Sequence, residues 1–96
     1  MMTSIFRFDL GAQRIPMATR PNGQALYEKI LEALDQYDLI EIDFANRSPT
    51  PSFVDQCIGG VVKSLGVEKF KARVKLRNVS EDARPLLIHV IRSRAS

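Results

Sequence analysis

Three hydroxyls and two carboxylates gather in Asp43-Phe44-Ala45-Asn46-Arg47-Ser48-Pro49-Thr50-Pro51-Ser52-Phe53-Val54-Asp55. Ser52 and Asp55 have the S-x-x-D spacing of a capping box: the hydroxyl accepts a backbone N–H of the first helical turn, and the carboxylate reaches back. A hydroxyl at a helix start is also well placed to carry a phosphate, because free N–H groups and the positive dipole end favour an anion there. Ser52 opens the helix, and Thr50 and Ser48 are the other hydroxyls of the stretch. The plainer role for Ser52 is that of a helix cap alone.

A second group is basic. Lys69, Lys71, Arg73, Lys75 and Arg77 occupy alternate positions, and alternate positions along a strand share a face. Lys71, Arg73, Lys75 and Arg77 are the candidate phosphate-binding set, which would bind nucleic acid with a salt-dependent affinity. No aromatic alternates with them to stack bases, as single-strand binders require, and Phe70 has the opposite parity. Cations on an edge strand also deter sheet-to-sheet aggregation, so a solvated, protective face is the plainer reading. Other chemistry is thin. The chain has one histidine and one cysteine; His89 sits on the flank of an amphipathic pattern and Cys57 within an apolar stripe, where a thiol behaves as a small hydrophobe. A metal site needs several converging ligands, and Asp43 and Asp55 are isolated carboxylates. The expectation is a protein that is not an enzyme and takes no cofactor or metal.

These groups must be positioned by a single small domain spanning residues 1–96. Hydrophobic residues at 45% and charged ones at 26% are ordinary for a globular chain. No apolar run approaches the roughly 20 residues of a membrane span, the N-terminus lacks a secretory apolar region, and one cysteine excludes an internal disulfide framework. A cytoplasmic location follows as the expectation. The net charge of +3 is unevenly distributed: residues 1–62 carry five basic and eight acidic side chains, residues 63–96 nine basic and three acidic.

The segment SIFRFDL alternates as a strand. Gly11 turns the chain, and AQRIPMAT is expected to return as an edge strand, since Pro16 cannot donate a ladder hydrogen bond. A helix capped by Asn22 follows, with Leu26, Tyr27, Ile30, Leu31 and Leu34 at helical spacing. Leu39 to Phe44 forms the next strand, Ile40, Ile42 and Phe44 facing one way and Glu41 and Asp43 the other; such alternation implies one exposed face, which argues against a central position in a helix-covered sheet. The second helix runs from about residue 53 to 65, with Gly59-Gly60 inside it marking close packing on the sheet or on another subunit. ARVKLRNV is a strand with one basic face. Ser80 caps a last helix in which Pro85 is tolerated only near the start. The order β-β-α-β-α-β-α favours parallel strands joined by helical crossovers, an α/β fold with a four-stranded mixed sheet and three helices.

The stretch IEIDFANRSPTPSFVDQCIGG resembles the strand–loop–helix of STAS-like domains, the family related to bacterial anti-sigma factor antagonists. The likeness extends from about residue 20 to 92, through TRPNGQALYEKILEAL and KARVKLRNVSEDARPLLIHVI. It is nearest to a STAS-like group carrying DFSG…SF-x-DE, from which this chain departs at Ala45-Asn46 and Gln56. The resemblance implies a non-enzymatic regulatory, protein-interaction module. Its implied partner is a histidine-kinase-like ATPase or another switch protein docking over loop 45–52 and the second helix. It also implies a phospho-acceptor serine at the start of that helix, here Ser52 with Thr50 and Ser48 as weaker candidates, and an interaction surface made of Asn46, Arg47, Ser48, Thr50, Ser52 and Asp55. The alternatives are a nucleic-acid-binding module using the basic strand face 69–77 and a structural homo-oligomer subunit using the glycine-bearing helix.

Overall fold

The computed structural model describes residues 3–95. β1 (Ile5–Asp9) leads through a compact turn into α1 (Arg20–Leu34), and β2 (Leu39–Asp43) follows. α2 covers residues 51–65 as one continuous helix: an opening turn Pro51–Val54, a π-helical segment Asp55–Gly59, and Gly60–Leu65. α3 (Val67–Arg73), β3 (Val74–Arg77) and α4 (Arg84–Ala95) complete the chain. The strands form one parallel sheet in the order β1-β2-β3, as successive crossovers require.

β2 is central. The sheet is one-sided, which reconciles that position with the polar alternation of the strand. Phe6, Phe8, Ile40, Ile42, Val74 and Leu76 line one face and join the core with Leu26, Ile30, Phe53, Ile58, Val61 and Leu87. The opposite face carries Arg7, Glu41 and Lys75 in one cross-strand row and Asp9, Asp43 and Arg77 in the next. Diagonal ion pairs join the rows: Arg7 to Asp43, and Arg77 to Glu41 at 2.9 Å.

Among the described residues the sheet has three strands rather than the four expected and is wholly parallel rather than mixed, and there are four helices rather than three. The segment AQRIPMAT is not a strand. Its turn is closed by local bonds, Ala12 N–H to the Asp9 carboxylate, Gln13 N–H to Asp9 O and Ile15 N–H to Leu10 O; Arg14 adopts a left-handed φ of 53°. Those bonds use the groups a ladder would need, so β1 remains an edge. Residues 67–73 are helical because Gly66, at φ 85° and ψ 154°, takes a conformation open essentially to glycine alone. The chain therefore kinks from α2 straight into α3, and Phe70 and Val74 bury one helical turn apart.

Caps also shift. Thr19, not Asn22, caps α1, its hydroxyl accepting from Asn22 N–H at 3.3 Å with Pro21 in the first turn. The Ser80 hydroxyl accepts Ala83 N–H at 3.3 Å, and its carbonyl accepts from Ala83 and Arg84, a turn leading into α4. Pro85 then falls in the first turn of that helix, where its missing N–H is harmless. Gly59 and Gly60 serve packing within the chain. A Cβ on Gly59 would lie 3.1 Å from Val90 Cγ1 on α4, and one on Gly60 2.9 Å from the Tyr27 ring on α1. The glycines thus seat α2 between two helices and do not present a bare face to a second subunit.

Candidate functional site

The loops after the three strands, residues 10–19, 44–50 and 78–83, meet at the carboxyl end of the sheet, where open α/β sheets place ligands and partners. Asp43, the last residue of β2, is their hub. It is 4% exposed, the one buried charged residue among those described. Oδ1 accepts the Ala45 N–H at 2.8 Å and the Asn78 amide at 3.1 Å; Oδ2 accepts Asn78 at 3.0 Å and the Arg7 guanidinium. The Ala45 amide, then Arg7 and Asn78, hold its carboxyl below the usual carboxylate range against the opposing effect of burial.

The Asp43 clamp fixes the loop that follows. Ala45 and Asn46 both stand in the left-handed region, at φ 55° and 58°. Asparagine tolerates that conformation and alanine does so at a cost, which the surrounding bonds offset: Asn46 N–H donates to Asn78 O at 2.8 Å and Arg47 N–H to Phe44 O at 3.0 Å. On the first turn, Gly11 lies against Ala45, where an added Cβ would come to 2.6 Å of the Ala45 Cβ. Downstream, Thr50 N–H donates to Met17 O at 2.9 Å. The backbone of the loop is thus tied to both neighbouring loops. Asn46, Arg47 and Ser48 nevertheless expose their side chains, and the Ser48 and Ser80 hydroxyls lie 3.4 Å apart.

The cap of α2 is Thr50, not Ser52. Its hydroxyl accepts Phe53 N–H at 3.3 Å and donates to Ala18 O at 2.7 Å, with Pro51 at the first helical position. Ser52 stands one residue inside the helix, half-buried. Asp55 does not reach back as a capping box would. It lies in the π-helical turn, pairing bidentately with Arg94 at 2.9 and 3.0 Å and with Arg20 at 3.1 Å. Desolvation works to raise its carboxyl, but the hydrogen bonds from Arg20 and Arg94 outweigh it and hold the group low. The proposed interaction residues Asn46, Arg47, Ser48, Thr50 and Ser52 therefore cluster at one end, while Asp55 bridges α1, α2 and α4.

The basic set is not brought together as a strand face. Lys69 and Lys71 lie on α3, and Arg73 ends it by donating to the carbonyls of Leu34, Tyr37 and Asp38, satisfying the C-terminus of α1. Only Lys75 and Arg77 lie on the strand; Lys75 bonds the Lys71 carbonyl, and Arg77 pairs with Glu41. The cations are dispersed by the switch from helix to strand at residue 74. His89 is exposed on α4. Cys57 is fully buried, and desolvation pushes its thiol up to about 12, consistent with a core hydrophobe. Sequence reasoning missed Asn78 and Arg7 as partners of Asp43. Neither has a local signal, because each lies some 35 residues away in the chain.

The parallel sheet, the helical crossovers and the strand–loop–helix around Asp43 agree with a family match over residues 22–84. The chain belongs to the family described as STAS-like domain of unknown function (DUF4325). No curated protein matches the chain, and no solved structure does. Among the described residues no helix is long and apolar enough to cross a membrane.

Proposed function

We propose that this protein is a non-enzymatic regulatory module that binds a protein partner over loop 44–50 and the first turn of α2, with Ser52 as a phospho-acceptor that switches the contact. The observation supporting this reading is the pinned loop. Its backbone bonds run to Asp43, Asn78, Phe44 and Met17, while Asn46, Arg47 and Ser48 remain exposed. A loop already held in one conformation loses little further entropy on docking, and loops on a rigid scaffold are where recognition concentrates.

Ser52 suits a switch better in its observed place than as a cap. Thr50 secures the helix start, so a phosphate on Ser52 would not remove the cap. It would add about −1.5 to −2 charges at neutral pH beside N–H groups that tolerate an anion, and the repulsion would fall on a docked partner. The partner class implied by the STAS likeness is a histidine-kinase-like ATPase or another switch protein. The dispersal of Lys71, Arg73, Lys75 and Arg77 removes the main support for a nucleic-acid module. Affinity capture from the native host, repeated with Arg47→Glu, tests the docking surface. The same partner should be lost from the variant and retained by Lys71→Glu; capture undiminished in Arg47→Glu would count against the loop.

A further inference from the structure

Midway along α2 the helix is π-wound over Asp55–Gly59, a rare geometry that is frequent at functional sites. This turn lies outside loop 44–50. Its first two residues, Asp55 and Gln56, line a polar cleft of about 340 Å³ between α1, α2 and α4, together with Gln24, Tyr27, Lys63 and Arg94. Gly60 brings the walls together: a Cβ there would lie 2.9 Å from Tyr27 Cδ1, so the ring rests on the backbone of α2. The Tyr27 hydroxyl then reaches that of Ser64, also in the lining, at 2.7 Å.

The hydrogen-bonding groups of this cleft are unevenly used. Asp55 is the one carboxylate in the lining, and its capacity is spent: Oδ1 accepts Arg94 Nε and Nη2, and Oδ2 accepts Arg20 Nη1 and Arg94 Nη2. Gln56 Nε2 donates to Gln24 Oε1, and Gln24 Nε2 to Glu28. Charged donors remain. Lys63 makes no hydrogen bond or ion pair among the described residues, and Arg94 Nη1 takes no part in the Asp55 pair. Of two hydroxyls sharing one hydrogen bond, the acceptor keeps its own proton to donate. Against these stand only neutral acceptors, Gln56 Oε1 and the hydroxyl lone pairs. Lys63, Arg94 and Arg20 set against Asp55 leave an excess of two positive charges, or one when the exposed Glu28 is counted.

We infer that this cleft binds a phosphate group, free or as the monoester of a small molecule, between Lys63, Arg94 and the Tyr27–Ser64 hydroxyl pair. A phosphate carries about −1.5 to −2 charges at neutral pH, which matches the excess. Its tetrahedral oxygens can accept at once from an ammonium, a guanidinium and a hydroxyl that stand on three different helices, whereas a planar carboxylate is already served by one arginine fork.

Titration of the nitrogen-15-labelled full chain with inorganic phosphate and with glycerol phosphate, at constant ionic strength and with chloride as the reference, tests the site. At least one probe should give saturable shifts of the Gly60, Lys63 and Ser64 amides, and the tighter probe tells whether the group is held free or esterified. Lys63→Met should weaken binding about tenfold or more, the equivalent of about 1.4 kcal/mol. Tyr27→Phe, which keeps the ring and removes its hydroxyl, should weaken it severalfold. Lys69→Met, which removes an exposed cation of α3 outside the cleft, should leave it unchanged, and thermal melts confirm that each variant is folded. Shifts that saturate with neither probe, or that chloride reproduces, would overturn the inference. So would binding that Lys69→Met weakens as much as Lys63→Met. None of these variants touches loop 44–50, so this site and the docking surface can fail separately.

Discussion

Replacing Asp43 with alanine isolates the contribution of the clamp beneath the candidate docking loop. The carboxylate accepts from the Ala45 N–H, the Asn78 amide and the Arg7 guanidinium. These donors lose unequally. Arg7 is 53% exposed in its side chain and would be taken up by water, so its share is small. Asn78 is exposed enough to turn its amide outward. The Ala45 N–H is held at the base of a loop in a left-handed conformation and has nowhere to turn. A part-buried donor left without a partner costs about 1–3 kcal/mol. With a partial loss at Asn78, Asp43→Ala should cost about 2–4 kcal/mol, a large fraction of the 5–15 kcal/mol typical of a small domain. A loss of about 3 kcal/mol corresponds to a fall in Tm on the order of 15 °C at this chain length. Urea unfolding with an unchanged m-value would measure it directly, with Arg7→Ala as the comparison expected to lose clearly less. The acid branch adds a second readout. The Asp43 carboxyl is held low in the folded state, so its charged form contributes stability fully above the unfolded carboxylate value of about 3.9, lost as pH falls through the lower folded value. The gap between wild type and Asp43→Ala should therefore be constant near neutrality and narrow below about pH 4. If Asp43→Ala unfolds at the wild-type midpoint, or Arg7→Ala costs as much, the clamp is not what holds the loop.

Three further outcomes follow from the packing. Thr50→Ala should destabilise by about 1 kcal/mol through loss of the cap, whereas Ser52→Ala should change the melt little; the reverse order would return the cap to Ser52. Gly23→Ala should destabilise by about 1–3 kcal/mol, because its Cβ would meet the Phe53 carbonyl oxygen at 2.7 Å, although the same change in an open helix stabilises; a raised Tm would refute that contact. Cys57, buried and with its thiol raised to about 12, should resist a thiol reagent in the native state and react at the rate of unfolding. Prompt native-state labelling would show that the helix opens locally.

Much of the scaffold was legible because it is written locally. The stripes of α1 and α2, the crossover order and the alternation of β2 rest on periodicity, and Leu26, Ile30, Leu34, Ile40, Ile42, Phe44 and Cys57 are buried as the patterns predict. The errors arose where two local signals competed. Lys69 to Arg77 alternates like a strand, but Gly66 re-aims the chain into a helix first, and the parity of the cations then means nothing. At α2 the Ser52–Asp55 spacing matched a capping box, yet Pro51 favours the first helical position and so assigns the cap to Thr50. Ile15 and Met17 looked like an edge strand because burial alone suits either a strand or a folded turn, and Met17 is buried in the latter. The Asp43–Asn78–Arg7 hub had no sequence signal, since only the sheet register brings β1, β2 and the end of β3 together.

A partner docked as proposed, on loop 44–50 and the first turn of α2, would be released by charge on Ser52. Calorimetric titration of the captured partner into wild-type and Ser52→Asp protein tests this most directly, with thermal melts confirming that both are folded. The expected result is equal melts and an affinity about tenfold weaker for Ser52→Asp, about 1.4 kcal/mol. Equal affinities with equal melts would contradict it and leave Ser52 an ordinary residue of the first helical turn.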